Sequence, residues 1–238
     1  MGRDYFEFKQ FTVHQDQCAM KVGTDGVLAG AWAELPATGH VLDIGTGSGL
    51  MALMAAQRCE AHITGIDNDL AALLQARSNA EASPWKERIS MVHADIKEFA
   101  KQTPTQHFEA ILSNPPFFTE SVASPDARRH AARHTDALSY TELLQAVACL
   151  LSPTGVFSVI LPATSAPGFI AEAWDEGLHL KRRTWVSTKA DTPPRRVLMT
   201  FSPVACVETA TNTLVLEEAP GIKSGDYRQL TAAFYLFA

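Results

Sequence analysis

The stretch Val41-Leu-Asp-Ile-Gly-Thr-Gly-Ser-Gly49 decides the fold expected for this chain of 238 residues. An apolar run leads into three glycines at alternate positions, and Leu50–Arg58 then carries apolar residues at helical spacing. Glycine lets the backbone turn sharply and approach a ligand closely, because no Cβ stands in the way. The stretch therefore predicts a strand, a ligand-binding turn and a helix.

The spacing of the glycines narrows the kind of ligand. It is G-x-G-x-G rather than the G-x-G-x-x-G of dinucleotide sites, and no Lys-Ser or Lys-Thr pair follows as a phosphate loop requires. Nicotinamide and triphosphate sites are therefore disfavoured. Taken alone, such a turn can also be a purely structural link between strand and helix.

Strand-like and helix-like runs alternate along the first two thirds of the chain, which favours βαβ units around a parallel sheet. The predicted strands are His40–Gly45, His62–Asp67, Ile89–Asp95, Phe108–Asn114 and Gly155–Leu161. The predicted helices are Leu50–Arg58, Asp69–Ala82 and Tyr140–Leu151.

The pattern changes after Leu161. A helix over Ala166–Glu176 precedes two strands, Leu178–Ser187 and Arg195–Val204, which we expect to pair as a hairpin. A short strand (Leu214–Glu217) and a helix (Tyr227–Phe237) close the chain. The fold class is therefore a doubly wound, Rossmann-like α/β sheet, mostly parallel with an antiparallel C-terminal hairpin strand. We expect one domain over 1–238, with 40–238 as its core and 1–39 as an N-terminal segment.

The composition is typical of a soluble globular protein, with 46% hydrophobic and 19% charged residues. No apolar run approaches the ~20 residues of a membrane span, and the N-terminus does not resemble a signal peptide. The four cysteines form no CxxC pair, and the eight histidines lack metal-ligand spacing. We therefore expect a cytoplasmic protein with no metal ion, and a monomer is the default oligomeric state. The net charge of −6 argues only weakly against a nucleic-acid partner.

Acidic residues close the next two predicted strands. Asp67 follows the glycine loop by about twenty residues, where a carboxylate can hold ribose hydroxyls. Asp95 and Ile96 could contact an adenine, through its amino group and its ring face respectively. Each aspartate could instead cap the following helix, and Asp69 could cap as well as Asp67. Three such strand ends in order favour a nucleoside cofactor.

The fourth strand ends in Asn114-Pro-Pro-Phe-Phe118. Two prolines fix φ at two positions and remove two N–H donors, which makes the turn stiff and extended. The Asn114 side chain and the Pro115 carbonyl can then point together as hydrogen-bond acceptors. The alternative is a rigid loop with Phe117 in the core.

Four segments in this order, VLDIGTGSG, GIDND, HADI and NPPF, resemble motifs I to IV of the Rossmann-like N-methyltransferases that use S-adenosylmethionine. With FEFKQF and KVGTDGVLAGAW upstream, the chain is most similar to the bacterial tRNA1(Val) (adenine-N6)-methyltransferase family. By that resemblance, the glycines lie under the methionine part of the cofactor, and 21–26 closes over that end. The implied cofactor-binding residues are Lys21, Thr24, Asp43, Gly45, Gly47, Gly49, Asp67, Asn68, Asp95, Ile96 and Asn114.

The resemblance implies methyl transfer to the exocyclic N6 of an adenine in tRNA, adenine 37 beside the anticodon of a valine tRNA. The catalytic residues that it implies are Asn114, Pro115, Pro116 and Phe117. The target base must leave its stack to reach such a site, and Phe117 would stack on it.

Three basic groups could meet RNA phosphates: Arg128–His134, Lys181–Arg183 and Arg195–Arg196. Such runs are usually solvated surface charges. We expect phosphate contact only from the first, close after NPPF, whose RNA-binding residues are Arg128, Arg129 and Arg133.

Four alternatives share parts of this pattern. Ribosomal RNA guanine-N2 methyltransferases carry NPPF but most have an additional N-terminal domain, and only about 40 residues precede the glycine loop here. Protein-glutamine N5-methyltransferases usually have NPPY and a helical N-terminal domain. A non-catalytic RNA-binding module would not keep both motifs intact. An NAD-dependent dehydrogenase is disfavoured by the glycine spacing.

Overall fold

The structure is a computed structural model that describes residues 4–18, 20–116 and 138–236. The strands of this part of the chain are β1 (Tyr5–Glu7), β2 (Thr12–His14), β3 (His40–Ile44), β4 (His62–Asp67), β5 (Ile89–His93), β6 (Phe108–Ser113), β7 (Leu151–Pro162), β8 (His179–Ser187), β9 (Arg196–Ser202), β10 (Ala210–Val215), β11 (Glu217–Ala219) and β12 (Ile222–Lys223). The helices are α1 (Thr24–Trp32), α2 (Leu50–Arg58), α3 (Leu70–Glu81), α4 (Ile96–Gln102), α5 (Tyr140–Leu150), α6 (Ala166–Asp175) and α7 (Gly225–Thr231).

An eight-stranded sheet with the order β10-β8-β9-β7-β6-β3-β4-β5 forms the centre of the molecule. Strand β9 runs antiparallel to both β7 and β8. The other neighbouring pairs of this sheet are parallel. The expected doubly wound α/β fold, mostly parallel with an antiparallel hairpin strand, is confirmed.

Helices cover both faces of the sheet and bury two apolar clusters. One cluster joins α1, α2 and α3 to the sheet through residues such as Leu28, Ala52 and Leu73. The other joins α5 and α6 to the opposite face, with Leu143 and Phe169 fully buried. Since β3, β4, β5 and β6 are parallel, their carboxyl ends share one edge, where open α/β sheets bind ligands.

Several elements of the C-terminal half differ in their bounds from the sequence prediction, and two strands do so for a clear physical reason. Strand β7 begins at Leu151 rather than Gly155, and its pairing with β6 shifts register between Phe108 and Ala110. The bulge absorbs the Ser-Pro-Thr-Gly segment that reads as a helix stop. Strand β10 begins four residues earlier than predicted and ends two residues earlier, because it is a polar, exposed edge strand whose residues do not alternate.

The N-terminal segment contributes elements that the sequence pattern does not mark. Strands β1 and β2 form an antiparallel hairpin, and the Asn79 side chain of α3 holds both backbone groups of His14 at 2.8–2.9 Å. All of Gly26–Trp32 in α1 is buried, so the helix shows no polar face. No helix within 4–18, 20–116 and 138–236 is both long enough and apolar enough to cross a membrane.

Candidate active site

The glycine loop after β3 is bent around an open space. Gly45 and Gly47 have φ of +70° and +55°, in the left-handed region that favours glycine. The backbone N–H groups of Gly45 and Thr46 both donate to the Ile66 carbonyl at 2.9 Å. Apart from the adjacent residues in the chain, no described residue has an atom within 4 Å of the place where a Cβ would stand on either glycine. The loop is therefore held firmly while it leaves room for a ligand.

Gly49 lies away from that space, at the start of α2. Its φ is +83°, and a Cβ there would approach the Ala76 Cβ and the Met91 Cε at 3.3 Å. The third glycine of the motif thus permits close packing of α2 against α3 and β5.

Asp67 joins the end of β4 to the glycine loop. Its Oδ2 accepts from the Gly47 N–H at 2.8 Å, and its Oδ1 accepts from the Asp69 N–H at 2.9 Å. Asp69, and not Asp67, caps α3 by accepting from the N–H groups of Ala71 and Ala72. Each oxygen of Asp67 keeps a further lone pair, so the carboxylate can also accept from ribose hydroxyls.

Asp43 lies beneath the loop and is fully buried. Its Oδ2 accepts from the Thr46 hydroxyl at 2.7 Å and from the Ala52 N–H at 3.1 Å, whereas its Oδ1 has no hydrogen-bond partner among the described residues. Burial raises the pKa of Asp43 to about 7, against the two hydrogen bonds, which lower it. This residue supports the loop from below and is not in the wall of the cleft.

Asp95 caps a helix and also lines the cleft, so the two roles that the sequence left open are compatible. It caps α4 by accepting from the Lys97 N–H at 2.8 Å, and it also lines the cleft, as do Ile96 and Asn68. The Nε2 of His93 donates to the Asn68 carbonyl at 3.0 Å. Carboxylates and an apolar side chain therefore meet on one wall, which suits an adenosine.

Asn114 and Pro115 are brought beside the glycine loop by the end of β6. The Ser113 hydroxyl donates to the Ile44 carbonyl at 3.0 Å, which ties the end of β6 to the end of β3. Asn114 is half-buried, Pro115 is buried and Pro116 is exposed. Phe117, Arg128, Arg129 and Arg133 lie outside the described residues.

The cleft consists of two adjoining cavities of about 340 and 210 Å³. Asp67, Asn68, Asp95 and Ile96 line the larger one. The residues common to both cavities are Met20, Gly45, Gly47, Asn114 and Pro116. The residues that line the cleft fit S-adenosylmethionine. The larger cavity offers hydrogen-bond acceptors and an apolar side chain to the nucleoside, and the glycine loop leads from it to the smaller cavity. Asn114, Pro115 and Pro116 form the prolyl turn, which lies where the two cavities meet.

Residues 21–26, which lead into α1, line the smaller cavity. Lys21 and Thr24 both line it, and the Val22 N–H donates to the Gln15 Oε1 at 2.7 Å. A Cβ on Gly26 would stand 3.9 Å from the Asn114 Nδ2, so α1 begins directly against the prolyl turn.

Sequence reasoning missed several residues of the cleft wall. Cys18, Met20 and Leu138 are among those that line the larger cavity. Burial, together with the negative charges of Asp69 and Asp67, raises the pKa of Cys18 to about 11, so the thiol stays protonated. Within the described ranges, no three His, Cys, Asp or Glu residues could hold a metal ion together.

Solved structures share this architecture. A predicted O-methyltransferase from Agrobacterium tumefaciens superposes with a TM-score of 0.67 at 18% identity, covering 88% of this chain and 96% of its own. Geranyl diphosphate C-methyltransferase from Streptomyces coelicolor, solved with S-adenosyl-L-homocysteine, reaches 0.53 at 13% identity, covering 72% and 74%. At such identities, the likeness concerns the fold.

Closer relatives place the chain in a family. A model described as "Methyltransferase small domain" matches residues 23–160, which hold both the glycine loop and the prolyl turn. A Phocaeicola vulgatus protein named tRNA1(Val) (adenine(37)-N6)-methyltransferase is 48% identical over 236 residues, 99% of each chain. A Klebsiella pneumoniae protein of the same name is 44% identical, covering 100% of this chain and 97% of its own. This chain belongs to the methyltransferase small-domain family, in its tRNA1(Val) (adenine(37)-N6)-methyltransferase branch.

Proposed function

We propose that this protein transfers a methyl group from S-adenosylmethionine to N6 of adenine 37 in tRNA1(Val), with Asn114 and Pro115 holding the target amine. Relatives of that name match the chain over its whole length. The observation that carries the proposed residue roles is the position of the prolyl turn, which borders the cofactor-sized cavity and its neighbour at once.

S-adenosylmethionine, when bound, supplies a methyl group that is already activated by the positive charge on its sulfur. The chain contributes positioning. Asp67 accepts from the ribose hydroxyls, Asp95 accepts from the adenine amino group of the cofactor, and Ile96 packs on its ring. Gly45 and Gly47 leave room for the methionine part, and Asp43 keeps their loop in shape.

Asn114 and Pro115 act on the target amine. The lone pair of an exocyclic adenine amine is delocalised into the ring, which makes the amine a poor nucleophile. When the Asn114 side chain and the Pro115 carbonyl accept hydrogen bonds from its two N–H groups, the amine turns out of the ring plane and its lone pair becomes available. No strong base is needed, because the proton can leave after the transfer.

The segment before β3 acts as a cap in this proposal. Lys21 and Thr24 close the methionine end, and the β1–β2 hairpin anchors them through its contact with α3. The enzyme would work as a monomer in the cytoplasm, which size-exclusion chromatography and cell fractionation can test.

The deciding experiment uses labelled S-adenosylmethionine and a tRNA1(Val) transcript that carries no modifications. We expect N6-methyladenosine at position 37 by nucleoside and fragment mass spectrometry, and no product from a transcript with guanine 37. Parallel reactions contain ribosomal RNA or a release factor in place of the tRNA. Label on either of these, with none on tRNA, would contradict the proposed substrate.

A further inference from the structure

The basic group Lys181–Arg183 is already engaged in contacts within the fold. Lys181 pairs with Glu34 at 2.5 Å. Arg182 stacks over the Trp32 ring, 3.7 Å from its centroid, and donates to the Trp32 carbonyl. Arg183 donates to the Thr211 hydroxyl at 3.1 Å. This group therefore serves the packing of α1 and β10 against the sheet.

The turn between β8 and β9, residues 188–195, lies at the same edge of the sheet as the cleft. Strand β7 is parallel to β6, and its last residue, Pro162, pairs with Arg196 at the start of β9. On the other side, Arg196 pairs with Val186 near the end of β8. The carboxyl end of β7 therefore adjoins this turn, as the carboxyl end of β6 adjoins Asn114.

The turn is rigid and directs two basic side chains outward. The Thr192 hydroxyl donates to the Lys189 carbonyl at 2.8 Å and accepts from the Lys189 N–H at 3.1 Å. The Arg195 N–H donates to the Val186 carbonyl, and the Arg195 carbonyl accepts from the Ala163 N–H. With their backbone held in this way, the side chains of Lys189 and Arg195 are exposed.

Arg196 connects this turn to the active site. Its Nε donates to the Asp25 Oδ2 at 2.8 Å, and Asp25 lines the smaller cavity with Asn114 and Pro115. Beside the turn, Glu217 pairs with Lys223 at 3.0 Å, and the hydrogen bond from Lys223 together with the charges of Lys223 and Lys189 lowers the pKa of Glu217. Asp191 is the acidic residue on the turn itself, so Lys189 and Arg195 leave the turn a positive balance.

We propose that Lys189 and Arg195 bind backbone phosphates of the tRNA while the target adenine occupies the cleft. The inference rests on the proposed function and names a part of its substrate surface. Arg195 presents a planar fork of donors that matches a phosphate, and Lys189 adds a second positive charge. Since these contacts are to the RNA backbone, they orient the substrate and carry no sequence information.

The test compares charge reversals at two edges of the sheet. Arg195→Glu, Lys189→Glu and their combination alter the turn. Lys86→Glu makes the same change on an exposed residue just before β5, at the amino ends of the strands. Binding of tRNA1(Val) is measured by fluorescence anisotropy from 50 to 200 mM salt, and cofactor affinity by calorimetry.

We expect the double reversal to weaken tRNA binding at least tenfold. The slope of the logarithm of the tRNA association constant against the logarithm of the salt concentration is negative. We also expect the double reversal to reduce the size of this slope by about 1–2, because each lost phosphate contact removes roughly one released counterion. Cofactor affinity should stay within twofold, and Lys86→Glu should bind tRNA within twofold of the unaltered protein.

Equal tRNA binding by the double reversal and by Lys86→Glu would overturn the proposed surface, although N6-methylation of tRNA would stand. An unaltered protein that neither binds nor methylates tRNA would instead overturn the proposed function, and the surface with it. Weakened cofactor binding in the double reversal would show a disturbed fold and would also count against the surface.

Discussion

The glycine-loop side and the α1 side of the cleft are built in different ways. At the ends of β3 and β4, Asp67 and the Ile66 carbonyl fix the glycine loop through backbone N–H groups. On the α1 side, Asp25 and Arg196 meet across 171 residues of sequence through half-buried side chains. The comparison teaches that local backbone geometry forms the glycine-loop side, whereas tertiary packing assembles the α1 side.

Asn114 stands between the two sides, and its loss should have the largest effect. We expect Asn114→Ala to lower kcat at least about a thousandfold, roughly 4 kcal/mol, because one of the two acceptors for the target amine is gone. Single-turnover methylation of tRNA1(Val) measures this effect. Cofactor affinity by calorimetry should stay within a few-fold.

Asn114→Asp is the matched variant, because it keeps an oxygen acceptor at nearly the same place. It should retain more activity than Asn114→Ala. Near-normal turnover by the alanine variant would mean that the prolyl turn only shapes the wall of the cleft.

Asp43 tests whether the carboxyl group beneath the glycine loop holds a proton in the folded protein. Its folded-state pKa of about 7 lies above the unfolded value near 4, so between these pH values the folded protein holds a proton that the unfolded chain has lost. Stability from this group is therefore present at low pH and lost as the pH rises through 7. In Asp43→Asn, that loss should be absent.

Urea unfolding of both proteins at pH 5 and pH 8 measures the difference. We expect the free energy of unfolding of Asp43→Asn, relative to the unaltered protein, to rise by on the order of 3 kcal/mol between these pH values. The same relative stability at both pH values would show that Asp43 ionises normally beneath the loop.

The same contrast explains which features could be predicted from the sequence. The observed β4 and α2 have the predicted bounds, because glycines and aspartates mark their ends locally. Helix α1 has no such marks, since Gly26–Trp32 is buried on every side. Met20 enters the cleft wall only because the N-terminal segment packs onto α3, and no local pattern encodes that contact.

Asp67 is expected to have an intermediate effect. In Asp67→Ala, the Gly47 and Asp69 N–H groups lose their acceptor, and the cofactor ribose would lose its proposed partner. We expect cofactor binding to weaken by about 1–3 kcal/mol, as measured by calorimetry. Asp69→Ala, which removes the α3 cap and a second carboxylate that lines the larger cavity, is the control for lost capping and lost charge, and it should bind cofactor within a few-fold. Unchanged cofactor affinity in Asp67→Ala would limit the residue to holding the loop.

The ion pair between Asp25 and Arg196 should have the smallest effect. The two side chains are 27–32% exposed, and water screens such pairs, so a double-mutant cycle on unfolding should give a coupling of about 0.5–1 kcal/mol. The alanine variants should nonetheless raise KM for tRNA severalfold, because the start of α1 loses its link to the β8–β9 turn. A coupling of about 3 kcal/mol or more would contradict this contrast, because the α1 side would then be held as strongly as the glycine-loop side.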